Sequence, residues 1–492
     1  AAARTGRIGV GMEIDPHFLF VGATGSGKTR NVRMLMRTAL FDDGERLRRH
    51  AIIFDAKKEW IPLLRGMSAN GVPPTIHILN PFDRRRTTWA LADDIRTRVE
   101  TRQLAEYLIP TNEKLTQPYF ADCARLILGA VVNTFAELAP SAWTLRDIIE
   151  ACRTEENLDR VLAATDYGRS YHERFVRVRS GPEIEATLLS RLAAFTEVAA
   201  CSHTQPGETV PISLTRWLDG PPSILLIGTD EQAEAALRPL NSVLFRRLFE
   251  LLSARNERKP AHGGGEGSET VWLFIDEARL AGKLEGIDHV LLKGRSKGVR
   301  VVLTCQEIQG LQHVYGKERA EELLSQCTNR AVLRTSNAQT KEWFAKSIGD
   351  REKWNRGTST TSGSQQNSNT ESWQLQIRAS ILGSEFAELA RPSPAAGFHG
   401  FFDLPGEGWW KAHVKPEFVS TFQGADPTDT SDGFEPWSDP SHQVLHPWED
   451  EDLVRLGLHD VQPLSRTEDS PVESPNEHAW ADLLGPGSRG SA

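Results

Sequence analysis

The sequence predicts an α/β fold built around a mainly parallel sheet. Short apolar runs alternate with segments of helical periodicity, which is typical of parallel strands joined by crossover helices. A glycine-rich loop separates the first apolar run from the first helical segment, and a later apolar run ends in two adjacent carboxylates. Because ligands of open parallel sheets bind at the carboxyl ends of the strands, both features mark the edge where a site is expected.

The first strand and helix enclose a G-x-x-x-x-G-K-T motif. Residues 18–21 are an apolar run that predicts a buried strand, and apolar side chains recur at helical spacing from Val32 to Leu40. In such a loop, backbone N–H groups surround phosphate oxygens, the lysine reaches the β- and γ-phosphates, and the threonine hydroxyl binds Mg²⁺. The motif therefore predicts binding of ATP and Mg²⁺ by Gly22, Ala23, Thr24, Gly25, Ser26, Gly27, Lys28 and Thr29.

Further apolar runs extend the predicted sheet along the chain. Asp55 ends the second run and therefore lies at the same edge as the phosphate-binding loop. The predicted strands after the first are residues 51–55, 75–79, 223–228, 271–276, 299–304 and 331–335, with 398–404 and 409–414 as closing strands.

Polar residues at the ends of the later strands are the catalytic candidates. Asp276 and Glu277 predict a magnesium ligand, acting through water, and a carboxylate that polarises the attacking water. Gln306 follows the next strand and either senses the γ-phosphate and orients water or is a solvated loop residue. Arg295 lies in the basic cluster 293–297, which is a solvated turn, a DNA contact or an arginine finger acting on a neighbouring subunit.

Residues 92–200 show helical periodicity and little strand signal, which predicts an all-α domain inserted into the sheet domain. Clear examples are residues 121–135 and 145–151, the second with Thr144 as its N-cap. Ordinary crossover helices are the alternative, but the stretch is too long for one crossover. The predicted domains are 1–91 and 201–424 for the two parts of the nucleotide-binding domain, 92–200 for the all-α domain and 425–492 for a tail.

Two segments have the composition of chains without a core. Residues 357–372 are rich in Ser and Thr, which predicts a mobile loop. Residues 425–492 predict a disordered acidic tail, because 15 acidic and 3 basic side chains from Asp426 onward give a charge of −12 and leave +3 for the rest. The slightly basic body is compatible with a DNA partner. The tail tryptophans either anchor a protein partner or belong to plain disordered chain: Trp437, Trp448 and Trp480.

The composition argues against a disulfide framework and against a membrane span inside the chain. Its five cysteines contain no C-x-x-C pair, which favours a reducing cytoplasm. Hydrophobic residues make up 39% and charged residues 25%, as in ordinary globular proteins. No apolar run reaches the ~18 residues that a membrane helix needs.

From about residue 6 to residue 414, the chain resembles type IV coupling proteins, the cytoplasmic motors of bacterial conjugation and type IV secretion. Several of the shared segments are far more specific than the phosphate-binding loop. The order and spacing agree for HFLFVGATGSGKT, AIIFDAKKEW, ILNPFD with the helical insertion after it, VWLFIDE, LLKGRSKGVRVVLTCQEIQGLQHVYG, and a Ser/Thr-rich segment followed by ILGSEFAEL.

The resemblance implies a RecA-like P-loop ATPase that is Mg²⁺-dependent, stimulated by DNA and assembled as a homohexameric ring. It assigns catalysis to Lys28, Glu277, Arg295 and Gln306, and the metal to Thr29 and Asp276. It implies DNA, a type IV secretion channel, and relaxosome or effector proteins as partners, the last reached through the all-α domain and the acidic tail. It also implies a cytoplasmic protein tied to the bacterial inner membrane by N-terminal helices that this chain lacks.

Two other functions stay open from the sequence. A DNA translocase or packaging motor outside conjugation shares the ATPase core and differs in the helical insertion and the anchor. A non-enzymatic adaptor would bind ATP and recruit protein effectors. The complete set of Lys28, Asp276 and Glu277 argues for turnover and against an adaptor, and ATPase measurements with and without DNA separate the two.

Overall fold

The chain folds into two compact units. Among the described residues, those within 17–76, 222–226 and 249–418 and residue 433 belong to unit 1, and those within 77–221, 227–248 and 434–466 belong to unit 2. The computed structural model describes residues 17–42, 46–67, 73–110, 118–202, 210–231, 233–256, 270–362, 367–418 and 433–466.

Nine of the strands in the described residues form one sheet, in the order β13-β12-β9-β1-β8-β7-β4-β6-β5. The predicted strands are confirmed, with small shifts at their ends. The strands are β1 His17–Val21, β2 Phe41–Asp42, β3 Arg46–Leu47, β4 His50–Asp55, β5 Ile76–Leu79, β6 Ile224–Gly228, β7 Val271–Ile275, β8 Val299–Cys305, β9 Asn329–Val332, β10 Asp350–Ser362, β11 Asn367–Ala379, β12 Phe398–Leu404 and β13 Gly408–Val414.

The centre of this sheet is parallel, as predicted. Strand β1 pairs in parallel with β8 on one side and with β9 on the other, and β7 pairs in parallel with β8 and β4. Strands β1, β4 and β7 are buried along their whole length, which explains their uninterrupted apolar sequences. The closing strands β12 and β13 are antiparallel to their neighbours.

Helices connect the strands of unit 1 and make up most of unit 2. The helices are α1 Lys28–Leu40, α2 Trp60–Arg65, α3 Leu91–Asp94, α4 Arg98–Leu108, α5 Tyr119–Leu138, α6 Leu145–Arg153, α7 Glu155–Ala163, α8 Asp166–Tyr171, α9 Gly181–Leu192, α10 Thr196–Ser202, α11 Leu214–Asp219, α12 Glu234–Ala254, α13 Ile287–Lys293, α14 Ile308–Tyr315, α15 Lys317–Gln326, α16 Ala338–Ile348, α17 Gly383–Glu388 and α18 Asp450–Arg455.

Unit 2 is organised around helix α5. By length and composition α5 is apolar enough to cross a membrane, but 61% of its apolar window is buried inside the protein. Its buried side chains belong to one apolar cluster with those of α4, α6, α7 and α9, so α5 is the central helix of a core. Thr144 is the N-cap of helix α6, as predicted, and forms a capping box with Asp147. Unit 2 extends beyond the predicted range of 92–200, since it includes 227–248 and the described tail.

The Ser/Thr-rich segment is a strand pair rather than the predicted loop. Strands β10 and β11 form an antiparallel ribbon, with Asp350 opposite Ala379 and Ser362 opposite Asn367. Threonine favours extended backbone, and each strand supplies the hydrogen-bond partners of the other, so the pairing needs no core. The prediction of a mobile loop over 357–372 is therefore wrong where the structure describes the chain. Residues 363–366 lie outside the described residues.

The tail is folded over its described part, which corrects the prediction of disorder from 425 onward. Residues 433–466, which we call the C-terminal strap, contain α18 and pack on unit 2. Leu445, Leu456 and Leu458 are buried in the apolar cluster that contains α5 and α6. Composition gives the wrong prediction here because a few closely spaced apolar residues can be buried in a core that other segments of the chain form. Residues 419–432 and 467–492, including Trp480, lie outside the described residues.

The middle of the strap is held by a buried carboxylate. Asp147 of α6 is fully buried, and its Oδ1 accepts hydrogen bonds from Arg455 Nη2 at 2.8 Å and from the Trp448 indole at 3.1 Å. Helix α6 also donates to the strap, since Arg146 Nη1 forms a hydrogen bond with Asp452 Oδ2 at 3.0 Å. Charge-assisted hydrogen bonds of this kind are stronger than neutral ones, so the strap is attached by specific contacts as well as by its leucines.

Both ends of the strap have anchors of their own. Near its start, the Trp437 indole donates to the Pro81 carbonyl at 3.0 Å, and the Arg86 guanidinium lies 4.4 Å from the Trp437 ring centroid. At its end, Arg466 donates to Asp159 Oδ1 at 2.8 Å and to Glu185 Oε1 at 3.1 Å. Trp437 and Trp448 therefore pack on the chain's own unit 2.

Candidate active site

With the exception of Arg295, the predicted site residues of unit 1 meet at one edge of the sheet. In the parallel register, Val21 of β1 lies beside Cys305 of β8, and Leu303 of β8 lies beside Ile275 of β7. Ile275 also lies beside Phe54 of β4. The carboxyl ends of these four strands are therefore adjacent, and the phosphate-binding loop, Gln306, Asp276 with Glu277, and Asp55 follow them directly.

The backbone of the phosphate-binding loop requires its glycines. Gly25 and Gly27 have φ angles of 73° and 97°, which residues with a side chain rarely adopt. A Cβ atom at Gly22 would lie 2.5 Å from Ser26 Oγ, so no larger residue fits there. The loop and its neighbours enclose a cavity of about 230 Å³, lined by Ala23, Thr24, Gly25, Gly27, Lys28, Thr29, Arg30, Lys57 and Pro392.

Lys28 begins helix α1 and points back across the loop. Its ammonium donates to the Gly22 carbonyl at 2.6 Å and lies 3.5 Å from Glu277 Oε1. Burial lowers the pKa of Lys28, and the Glu277 carboxylate opposes that change. The structure thus places the lysine of the motif beside the predicted catalytic carboxylate, at the N-terminus of a helix whose dipole favours anions.

Asp276, the predicted magnesium ligand, has one carboxylate oxygen with a hydrogen bond and one without, within the described part of the protein. Its Oδ1 accepts a hydrogen bond from the Thr304 hydroxyl at 2.8 Å, whereas its buried Oδ2 has no hydrogen-bond partner among the described residues. Burial raises the pKa of Asp276, and the Thr304 hydrogen bond counteracts this. An unpaired buried carboxylate oxygen fits a metal-bound water as its missing partner. No group of three His, Cys, Asp or Glu side chains in the described chain would hold a metal alone, so Mg²⁺ would also need Thr29 and phosphate oxygens.

Glu277 is held in a strained backbone conformation beneath the loop. Its φ angle is 52°, in the left-handed region, and its backbone N–H donates to Thr304 Oγ1 at 2.9 Å. Its Oε1 accepts from Gln306 Nε2 and from Lys57 Nζ, both at 3.3 Å. With Lys28, three nitrogen donors therefore converge on one carboxylate oxygen of Glu277.

Arg295 is the predicted catalytic residue that the fold does not bring to this edge. It is exposed in the turn between α13 and β8, where the Gly298 N–H donates to the Arg295 carbonyl at 3.2 Å. This turn enters β8 at its amino end, whereas the phosphate-binding loop lies at the carboxyl ends of the same parallel strands. Arg295 is therefore placed at the edge opposite the loop of its own chain.

Two residues at this edge of the sheet were not predicted from the sequence. Thr304 bridges Asp276 and Glu277 through one hydroxyl, and Lys57 lines the phosphate cavity and contacts Glu277. The sequence gives no signal for Thr304, because Thr304 is the penultimate residue of a buried strand. Lys57 carried a detectable signal, since it follows closely on Asp55 at the carboxyl end of β4.

Comparisons with known proteins agree with this fold. A family model described as the type IV secretion-system coupling protein DNA-binding domain matches residues 10–407. Coupling protein TraD of Escherichia coli (strain K12) is 24% identical over 349 residues, which are 68% of this chain and 44% of TraD. The chain thus spans less than half the length of that relative.

Solved structures of the plasmid coupling protein TrwB share the fold. An unbound form of TrwBdeltaN70 is 22% identical with a TM-score of 0.63, and the alignment covers 85% of this chain and 87% of that one. TrwB in complex with ADP and Mg²⁺ is 21% identical with a TM-score of 0.60, covering 86% and 88%. These likenesses confirm the predicted RecA-like P-loop architecture with a large, mostly parallel sheet.

Proposed function

This chain belongs to the type IV secretion-system coupling protein family, and from that premise we propose that it is an ATP-driven motor. It recruits DNA, with any protein attached to it, and pumps it into a type IV secretion or conjugation channel. The observation that carries the proposal is the adjacency of Lys28 and Glu277, 3.5 Å apart at the carboxyl edge of the sheet. An ATP-binding adaptor needs no such carboxylate beside its phosphate-binding lysine.

The residues of the site have distinct roles in ATP hydrolysis. Backbone N–H groups of Gly22–Thr29 surround the phosphates, and Lys28 contacts the β- and γ-phosphates. Thr29 and Asp276 would hold Mg²⁺, which would neutralise charge on the phosphate oxygens. The water oxygen attacks the γ-phosphorus and the bond to the ADP oxygen breaks, while Glu277 takes the proton of the water. Gln306, whose Nε2 donates a hydrogen bond to the Glu277 carboxylate, orients that water.

Arg295 acts on the ATP of a neighbouring subunit. Its place at the amino end of β8 keeps it away from the phosphates of its own chain, and a guanidinium stabilises the charge that spreads over the γ-phosphoryl oxygens. The active form is therefore a ring, which we propose to be a hexamer as in the family. Partners reach it through the all-α domain and the acidic tail, and N-terminal helices would tie it to the bacterial inner membrane.

A subunit-mixing experiment tests the role of Arg295. Arg295→Ala and Lys28→Ala subunits should each be inactive alone, and their mixture should regain part of the ATPase activity. Some interfaces of a mixed ring pair an intact Lys28 with an intact Arg295, which restores a complete site. Lys297→Ala, in the same turn, is the matched control and should keep its activity. If the mixture stays as inactive as either parent while energy transfer between differently labelled parents shows that mixed rings form, Arg295 does not act in trans.

The proposal as a whole requires that hydrolysis moves DNA. Displacement of a third strand from duplex DNA is the deciding experiment, because an adaptor that binds ATP and effectors leaves that strand in place. A packaging motor outside conjugation would pass the same assay, and capture of a relaxosome protein then separates it from a coupling protein.

A further inference from the structure

Lys57 is held next to the active site by a rigid turn. The Asp55 carboxylate accepts backbone hydrogen bonds from Lys57 and Glu59, both at 3.2 Å, and from Trp60 at 3.0 Å. Asp55 and Trp60 are both buried. Burial raises the pKa of Asp55 to about 6, and the backbone N–H groups counteract the rise. The turn that carries Lys57 is therefore fixed at its base, independently of any ligand.

The Lys57 side chain reaches both the phosphate cavity and the catalytic carboxylate. It lines the cavity together with the glycines of the loop, and its Nζ lies 3.3 Å from Glu277 Oε1. Its side chain is 32% exposed, whereas that of Lys28 is 6% exposed. Lys57 thus has freedom to change partners within the cavity, and Lys28 has little.

The ammonium of Lys57 stays charged in this position. Burial lowers the pKa of Lys57, but the nearby Asp276 and Glu277 carboxylates raise it by more, so the net change is upward. A cation that faces a phosphate cavity on one side and a carboxylate on the other has two competing anionic partners. A terminal phosphate entering the cavity competes directly with Glu277 for it.

We propose that Lys57 is a contact to the γ-phosphate of ATP and a positioning residue for Glu277. With ADP, Lys57 remains paired with Glu277 Oε1. With ATP, the ammonium turns to the γ-phosphate, and Glu277 keeps only Lys28 and Gln306 as donors. Glu277 Oε1 then has one donor fewer, which leaves room beside it for the attacking water. This inference rests on the proposed ATPase function, since it needs ATP to be the ligand of the cavity.

The inference predicts a selective loss of ATP over ADP affinity. Lys57→Met keeps the length of the side chain and removes its charge, so it should weaken binding of a non-hydrolysable ATP analogue about tenfold and leave ADP binding unchanged. Its kcat should fall as well, because the γ-phosphoryl oxygens lose a cation that stabilises the charge spreading over them during the transfer. Lys57→Arg keeps the charge and should restore most of the preference for the ATP analogue.

Lys58→Asn is the matched control for these measurements. It removes a positive charge one residue away, and asparagine tolerates the φ of 60° found at Lys58. Binding is measured by calorimetry with the ATP analogue and with ADP, after melting curves show that each variant is folded. If Lys57→Met is not folded, Lys57→Gln takes its place.

Each remaining outcome decides the question. Equal losses for ATP analogue and ADP would show that Lys57 supports the cavity without sensing the third phosphate. Unchanged affinities would show that it makes no phosphate contact. Either result overturns the inference while leaving the ATPase function intact. Failure of the unmodified protein to bind the ATP analogue would instead remove the proposed function itself.

Discussion

Lys28→Ala and Glu277→Gln should both abolish ATP turnover, but only Lys28→Ala should weaken ATP binding. Lys28 contacts the phosphates in every bound state, so its loss affects binding and chemistry. Glu277→Gln keeps the shape of the side chain and removes its capacity to take a proton, so ATP should bind and persist. We expect turnover of each variant to fall to less than about a hundredth of the unmodified rate. Phosphate release and nucleotide binding, measured on the same samples, separate the two defects.

Glu321→Gln is the control for this pair. Glu321 is exposed on α15 of the same unit, and the same chemical change there should leave both measurements unchanged. The assigned role of Glu277 is wrong if Glu277→Gln retains more than about a tenth of the turnover. The assigned role of Lys28 is wrong if Lys28→Ala binds ATP as tightly as the unmodified chain.

Truncation after Gly424 should destabilise unit 2, whereas truncation after Arg466 should leave it intact. Truncation after Gly424 removes the whole strap and exposes the part of the core that Leu445, Leu456 and Leu458 cover. It also leaves the buried Asp147 without Arg455. The second keeps every strap contact described above. Amide hydrogen exchange of peptides from α5 and α6 should show loss of protection in the first truncation only. Equal protection in both truncated proteins would contradict a structural role of the strap.

A single substitution isolates the polar part of this effect. Arg455→Met removes the guanidinium that is hydrogen-bonded to the buried Asp147, leaving Arg146 Nη1 at 3.9 Å as the charged neighbour of Asp147, and should cost about 2 kcal/mol in the unfolding of unit 2. Arg102→Met makes the same chemical change at an exposed pair with Glu106 and should cost less than about 0.5 kcal/mol. A similar cost for both would mean that the strap is held by its leucines alone.

Local signals made the core of unit 1 and the start of helix α6 in unit 2 predictable from the sequence. The loop from Gly22 to Thr29, the strand before Asp276 and the cap at Thr144 each depend on residues within a few positions, so pattern and composition suffice to find them. The shared edge follows from the parallel order of the strands, which places Asp55, Glu277 and Gln306 together.

Long-range pairing explains what the sequence did not predict. Arg455 and Asp147 are 308 residues apart in the chain, and no local pattern in an acidic, proline-containing tail indicates that they meet. The ribbon of β10 and β11 satisfies its backbone by pairing, which a low apolar content does not reveal. The position of Lys57 in the site also depends on the fold, which brings Lys57 Nζ to 3.3 Å from Glu277 Oε1.

Displacement of a third strand from duplex DNA tests most directly the claim that this chain is an ATP-driven DNA motor. The substrate is a linear duplex that carries a fluorescent triplex-forming oligonucleotide at one end, mixed with the assembled protein, ATP and Mg²⁺. The account predicts ATP-dependent release of the oligonucleotide, no release with Glu277→Gln, and no release with a non-hydrolysable analogue. ATP hydrolysis on this DNA by demonstrably assembled protein, with the third strand left in place, would contradict the account.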